Sequence, residues 1–544
     1  MGSQIGHRQS PQSCIVPTFC RCAVMVQPPN AAIPKHRNAV DPQPQPTQNP
    51  LQSRPLHMSE PRSRNWLKIS CIGCVGLPCV GLMLTFGFIK CQVSKEGDNL
   101  PAELAKLKKL GVPTEPQDLS IVPPVPDSDN AASLYKQIEE EMKKVQKGLV
   151  NRHTQVISAY SGFPGDKVNY EVALAQHQSV FSLIDQLPTR SRLDYKRDYT
   201  QGFNLLFPEF AETKSVAKLL ASRTQYWIER KDYDRALKDI ETQYVIANHL
   251  SQEVTIIGAL VCIAINAIAH NSLDRFLYAV QDNQPMLAKT EAMLVRRQRV
   301  PSIRKSLSGE VVMGRIGIQS LKSWAEFDYS GHGTGEPDGL QKGLDRLTVQ
   351  DPAFRRMFEA RAMAMWREIF EKAPKDEQDW VGFSKAFREV DAKIQADNSV
   401  QNKLNQILFP VFDQASQAFA KADANHRVAL LAVKLLRMPP TQRPANLSSF
   451  GKLAIDPMDG KPMRYLRKGN GFKVWSIGQD LKDNGGVKAG IGIAYNMTDL
   501  VLGYKIGFPP PTSKAVMTSM LSSPPGGPAT PTAPGSPPPP AKLQ

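Results

Sequence analysis

Cysteine is nearly missing from the part of the chain that could fold. Of eight cysteines in 544 residues, those at 14, 20, 22, 71, 74, 79 and 91 fall in the first 91 residues, and only Cys262 lies beyond. That excludes a disulfide framework or a cysteine-rich zinc site in the bulk of the chain, and Cys262, alone in an apolar stretch, reads as a small core residue. The nine histidines are scattered and never form His-Glu-x-x-His, so a zinc-protease helix is excluded as well. Apolar uncharged runs of membrane length are missing too, with one exception. Proline, by contrast, is abundant but concentrated at the ends: residues 1–65 and 509–544 have no apolar period and are expected to be disordered.

The formal charge of +16 is not concentrated on one surface. About +6 lies in residues 1–68 and about +2 in the last 36, leaving roughly +8 for the middle. The densest basic group, Arg296, Arg297, Arg299, Arg304 and Lys305, has no interleaved aromatics to stack bases. It reads as a solvated helix end, and no nucleic-acid partner is expected.

The exception among the runs is Ile69 to Ile89, which carries no charge and is bracketed by Lys68 and Lys90. Its 21 residues span about 31 Å as a helix, matching a hydrocarbon core of about 30 Å. Arg54, Arg62, Arg64 and Lys68 precede it, whereas Glu96, Asp98 and Glu103 follow closely, so the N-terminus is expected in the cytoplasm and the rest exported. A cleaved signal peptide is the alternative, but Phe86 to Lys90 offer no small-x-small site, which favours a retained single-pass signal-anchor. A lipoprotein reading fails because Cys71 and Cys74 open the run instead of closing it. Met58 begins Met-Ser-Glu-Pro-Arg-Ser-Arg-Asn-Trp and is a second candidate start, with 1–57 then upstream of the protein.

Beyond a transmembrane segment placed at 66–90, a proline-containing stalk is expected over 91–130, then a helical domain over 131–438 and a small β element over 439–508. Asp127-Ser-Asp-Asn130 is a capping cluster ahead of a helix from Ala131 to Lys147. Amphipathic patterns predict helices at 171–187, 214–230, 233–251, 254–280, 284–299, 353–373, 380–397 and 401–437. The pair 214–230 and 233–251 is like one tetratricopeptide-type (TPR-like) hairpin, without a detectable repeat. Val254 to Ala269 is charge-free but short, and suits the central helix of an all-helical domain better than a membrane crossing. Tyr329 to Gly339 is a glycine-rich loop without a Walker lysine. Met463–Arg467 and Phe472–Ile477 alternate as strands about Lys468-Gly-Asn-Gly471, and Asp499–Tyr504 supplies a third.

The order Asp456-Pro-x-x-Gly-Lys-Pro-x-Arg-Tyr465, then Gly471-Phe-x-Val-Trp-Ser-Ile-Gly-x-Asp480, then Asp483-Asn-Gly-Gly486 and a late Asp499-Leu resembles the C-terminal region of type II secretion major pseudopilins. Over most of 100–508 the chain resembles a group of uncharacterised, membrane-anchored bacterial envelope proteins of planctomycete-like type. Their Pro-Thr-x-x-Asp-Leu and Asn-Ala-Ala-x-Leu-Tyr start is matched by Pro113, Thr114, Asp118, Leu119 and Asn130 to Tyr135. The pseudopilin likeness implies calcium, with Asp480, Asp499 and the carbonyl of Ile477 as ligands and Asp483 and Asn484 near enough to assist. Ca²⁺ takes six to eight hard oxygens, which such a loop supplies. The loop is not an EF-hand, and the alternative is a turn whose Asp side chains bond nearby backbone amides. The prepilin start is missing and a long helical region separates membrane helix from hairpin, which argues against assembly into a pilus.

Catalytic motifs fail. Ser133-Leu-Tyr-Lys136 and Ser128-Asp-Asn130 mimic penicillin-binding motifs in the wrong order, and no Lys-Thr-Gly accompanies them. Glu139–Glu141 and Asp376–Asp379 read as charged helix faces. The expected protein is mainly α, with a single N-terminal transmembrane helix, an exported helical-hairpin domain and a small pseudopilin-like β element. It is expected in a bacterial cell membrane, as a non-catalytic scaffold or interaction module for an envelope protein partner. A secretion component or an envelope hydrolase without a recognisable motif are the alternatives.

Overall fold

In a computed structural model of the chain, residues 85, 87–148, 174–297, 300–324, 339–399, 402–409, 412–486 and 500–504 are described. Most of the apolar run 69–89, the two proline-rich ends, the glycine-rich loop and Asp499 lie outside them. The chain is mainly helical, as its periodicity implies.

The elements in order are α1 (87–97), α2 (Leu100–Lys109), α3 (Ala132–Gly148), α4 (Gln178–Ile184), α5 (Glu209–Glu229), α6 (Tyr233–Leu250), α7 (Ile256–Val280) and α8 (Gln284–Arg296). They continue as α9 (Ile303–Ser320), α10 (Gly339–Leu347), α11 (Pro352–Lys372), α12 (Trp380–Ala396), α13 (Lys403–Leu408) and α14 (Phe412–Arg437). A three-stranded antiparallel sheet closes the described fold: β1 (Arg464–Lys468), β2 (Gly471–Ser476) and β3 (Leu500–Tyr504), with β2 central.

The central helix is α7, which packs on α5, α6, α9 and α14. Its composition is long and apolar enough for a membrane, yet Ile256, Ile265, Phe276, Leu277 and others are buried against those neighbours. Thr255 caps it, its hydroxyl accepting from Gly258 N at 3.2 Å. The hairpin α5–α6 turns at Lys231, whose φ is +59°, and Asp232 caps α6 by accepting from Arg235 N.

Helix α9 was not anticipated, because Gly309, Gly314 and Gly317 dilute its helical signal. Those glycines are why it fits: Gly309 N donates to Val254 O at 3.0 Å, and a Cβ at Gly309 or Gly317 would collide with the 254 backbone or the Phe203 ring. Where one helix was predicted over 401–437, two are described, α13 and α14, with residues 410 and 411 between them outside the described residues.

Residues 91–130 are not a free stalk. Helix α1 and α2 lie along α11, with Val93, Leu100 and Leu107 buried, and Val112, Leu119 and Val125 bury the return. Salt bridges follow the same order on both sides: Lys90 to Asp351 at 2.9 Å, Glu96 to Arg361 at 2.7 Å and Glu103 to Arg367 at 2.6 Å. The two elements therefore run alongside α11 in the same sense.

The sheet matches the sequence pattern closely. Gly469 and Asn470 form the two-residue turn, with Gly469 at φ +55°, where a primed hairpin turn requires glycine. Phe472 and Val474 enter the cluster formed by Val428 to Leu436 of α14 and by Leu287, Met293 and Leu294 of α8.

Candidate functional site

The oxygen-rich corner at the base of the hairpin is organised by a residue that resemblance did not single out as a ligand. Arg464 donates to Asp456 Oδ2 at 2.6 Å and to Asp459 Oδ2 at 2.6 Å, and its Nε stands 3.8 Å from Asp483 Oδ2. Asp456 is wholly buried and accepts further from Ser476 Oγ at 2.7 Å, Met458 N at 3.0 Å and Ile477 N at 3.1 Å. Burial holds its carboxyl above the usual range against the pull of Ser476 and these amides. Burial would lower the Arg464 pKa, but the pairs with Asp459, Asp456 and Asp483 outweigh it and leave it raised.

The loop that follows is pinned to the hairpin. Trp475 Nε1 donates to Asp483 Oδ1 at 3.0 Å, which holds that carboxyl below its usual range, and Gly485 N donates to the same oxygen at 2.9 Å. Lys473 Nζ reaches Gly485 O at 2.7 Å and lies over the Trp475 ring.

Of the residues expected to hold calcium, Asp480, Asp483 and Asn484 share this loop. Asp480 Oδ1 accepts from Lys482 N at 3.1 Å, and Asn484 Nδ2 stands 3.4 Å from Asp480 Oδ2. Ile477 is buried, its N–H given to Asp456 and its carbonyl approached by Ser476 Oγ at 3.2 Å. Asp499 lies outside the described residues. Among the described residues, no three of His, Cys, Asp and Glu converge as a metal-holding group. The backbone bonds of the turn alternative are those seen at Asp480 and Asp483. The motif Asp456-Pro-x-x-Gly-Lys-Pro-x-Arg464 was the available signal for the corner, since an Asx turn and an arginine eight residues on bring both groups to one strand start.

Other ionisable groups missed in the sequence are structural clasps. Arg197 makes a bidentate pair with Glu253, at 2.8 and 3.1 Å, pairs with Glu209, and stacks on Tyr195, Phe207 and Phe210. The Arg197 and Glu253 side chains are both under 10% exposed (7% and 6%), which leaves no access for a substrate. Burial raises Glu253 despite Arg197. Nearby, burial pushes Glu310 up to about 8, against the pull of Ile256 N–H, which donates to it at 2.8 Å. Cys262 is a buried core thiol, pushed up to about 12 by burial. His270, half-buried beside Tyr244 with ring centroids 5.4 Å apart, is held down at about 4 by desolvation.

The acidic motifs also resolve. Glu139 and Glu141 pair with Lys143 and Lys144 on an exposed face. Asp379 caps α12, and Glu377 accepts from Ser302 Oγ and Ile303 N at the start of α9, so these two cap and dock helices where a charged helix face was expected. Arg296 and Arg297 share Glu241, Arg304 donates to Phe370 O, and Lys305 donates to Gln252 O, which disperses the basic group.

Compared with family models, curated proteins and solved structures, the chain matches none.

Proposed function

We propose that this chain is a single-pass, membrane-anchored bacterial envelope protein, its N-terminus cytoplasmic and its helical body exported, acting as a non-catalytic scaffold for an envelope protein partner. The observation that carries the reading is where the hairpin sits. Strands β2 and β3 pack on α14, which ends at Arg437, while the elements nearest the apolar run, α1 and α2, pack on α11. A pilin-like subunit needs its hairpin on the membrane-continuous helix, so this placement favours a scaffold over a secretion component. The carboxyls with raised pKa favour it over a hydrolase: Asp239, Asp456, Glu253 and Glu310 are each bonded to internal partners and buried.

Cys91, exposed one residue beyond Lys90, supplies a topological test. The full chain is expected to resist alkaline carbonate extraction from membranes, and Cys91 to react with an impermeant maleimide from the outer side. Release by carbonate, or labelling only after permeabilisation, overturns the anchor. A photo-crosslinker at exposed Leu466 on β1 is expected to trap a discrete protein partner. Turnover of a hydrolase substrate by the purified chain, abolished by one substitution, overturns the non-catalytic part.

A further inference from the structure

The scaffold reading leaves the partner's chemistry open, and the edge of the sheet bears on it. We propose that the partner adds an acidic, extended segment to β1 as a further strand, with Leu466 at the centre of the contact. This rests on the scaffold reading and names the surface and the class of partner it uses.

The register identifies which backbone groups are open. The strand order leaves β1 at an edge of the sheet. In an antiparallel pair closed by a two-residue turn, the residues flanking the turn exchange both backbone bonds, and every second pair after them does the same. Lys468 with Gly471, Leu466 with Lys473 and Arg464 with Trp475 are therefore the bonded pairs, and the N–H and C=O of Tyr465 and Arg467 point away from β2. Met463 has the same parity, and its N–H is given outward to Ala454 O at 2.7 Å. That bond and the one from Asp456 N to Lys461 O frame a bridge between Ile455 and Pro462, with which the chain itself begins a strand on this edge. It goes no further. Ser448–Ala454 coil into 3₁₀ turns whose Phe450 and Leu453 pack into the cluster under the sheet, and Arg427 of α14 holds the carbonyls of Lys452 and Ile455. Beyond Ala454, Tyr465 and Arg467 have no outward backbone partner among the described residues.

The side chains along the edge select the occupant. Alternation places Tyr465 and Arg467 on the face of Phe472 and Val474, and Leu466 and Lys468 on the other, where Leu466 is 45% exposed. The nearby carboxylates Asp456, Asp459 and Asp483 all face Arg464. Exposed Lys461, Arg467 and Lys468 are left without an acid among the described residues. A second copy would bring the same cations to the same edge and be repelled, whereas an acidic strand would pair with them. Main-chain bonds then supply affinity, and Leu466 between cations supplies specificity.

The test uses the full chain in nanodiscs and, as probe, a fluorescein-labelled peptide of four Glu-Val repeats with blocked ends. Fluorescence anisotropy is expected to show saturable binding that weakens with salt, and binding about tenfold weaker for the Lys-Val counterpart. Two perturbations separate strand addition from simple charge attraction. N-methylation of alternate peptide residues removes the donors that face β1 in one register and is expected to lower affinity about tenfold, with the protein unaltered. Arg467→Pro removes one outward N–H and leaves the ladder to β2 intact, and it is expected to weaken binding by a similar factor with an unchanged unfolding midpoint. Arg467→Glu combined with Lys468→Glu is expected to transfer the preference to the Lys-Val peptide. Equal binding of the two peptides, binding indifferent to N-methylation, or no binding at millimolar peptide overturns the proposal. Oxidative pairing of Leu466→Cys between copies, with the other cysteines replaced by serine and the peptide excluded, also overturns it by making this edge a contact between copies. An adduct from the Leu466 photo-crosslinker in cells without peptide binding removes the added strand and keeps the scaffold; peptide binding without any adduct in cells does the reverse.

Discussion

The Tyr135 hydroxyl donates to Nδ1 of His249 at 2.9 Å, and on the far side of the ring Nε2 of His249 donates to the carbonyl of Arg190, also at 2.9 Å. A carbonyl only accepts, so the Arg190 bond fixes the proton on Nε2 and leaves Nδ1 as the acceptor for Tyr135. Through one neutral imidazole, α3, the end of α6 and the 190 segment are held together. Tyr135→Phe leaves Nδ1 buried without a donor and is expected to cost about 1–3 kcal/mol by urea unfolding. His249→Phe removes both bonds and is expected to cost more. If Tyr135→Phe matches the parent, the bond holds nothing.

The pH dependence has two opposed arms. Burial lowers the folded pKa of His249 and holds that of His270 at about 4. Between that range and the unfolded value near 6.5, the unfolded chain binds more protons. Their contribution is therefore complete above about pH 6.5 and is lost as pH falls toward about 4. Thermal midpoints are expected to drop across this window, and the drop to shrink in His270→Phe.

Glu310 acts in the other direction. With its folded pKa raised to about 8, the folded state binds the extra proton above the unfolded value near 4.5, so its contribution falls as pH rises through 8. Glu310→Gln keeps an oxygen for Ile256 N–H and carries no charge. It is expected to unfold at a higher temperature than the parent at pH 9, with little difference at pH 5. An equal effect at both values contradicts the assignment.

The glycines of α9 provide an internally controlled test. Gly309→Ala would drive a methyl group into Val254 O, and Gly317→Ala into the Phe203 ring, whereas the nearest atom to a methyl at Gly314 is 3.9 Å away. The first two substitutions are expected to destabilise by about 1–3 kcal/mol or more. Gly314→Ala is expected to be neutral or to stabilise by up to about 1 kcal/mol through helix propensity. A uniform response across the three would remove close approach as the reason for them.

At the hairpin base, Arg464→Met leaves Asp456 buried without its cation and is expected to cost about 3–5 kcal/mol, part of it recovered by adding Asp456→Asn. Melting of the parent is expected not to move between millimolar Ca²⁺ and EGTA, since Arg464 already serves Asp456 and Asp459, and Asp480 and Asp483 already accept backbone amides. A calcium-dependent rise abolished by Asp480→Ala would establish the ion site instead.

The legible parts of this fold are those whose causes are local. The strands 464–468 and 471–476 announce themselves by alternation about Gly469-Asn470, and α5, α6, α7, α11 and α12 by period and caps. What stayed hidden depends on distant partners. Helix α9 is stabilised by loops about 50 and 110 residues away, at Val254 and Phe203, that require its glycines. The 91–130 segment looks like a stalk because its prolines are visible in sequence, while the arginines that hold it, Arg361 and Arg367, lie some 260 residues later. Arg464 was hidden for the same reason in miniature, since its role exists only once the hairpin brings Asp456 and Asp483 around it.

The parallel docking of α1 and α2 along α11 also determines how the chain bears load. A pull from the N-terminal side acts along the axis of the docked helices, so the Lys90, Glu96 and Glu103 pairs are sheared together and not peeled one at a time. Rupture then requires all three contacts and the buried Val93, Leu100 and Leu107 to slip at once. Such a joint behaves as a clutch: tension that would unzip a perpendicular attachment is carried by α11 into the core.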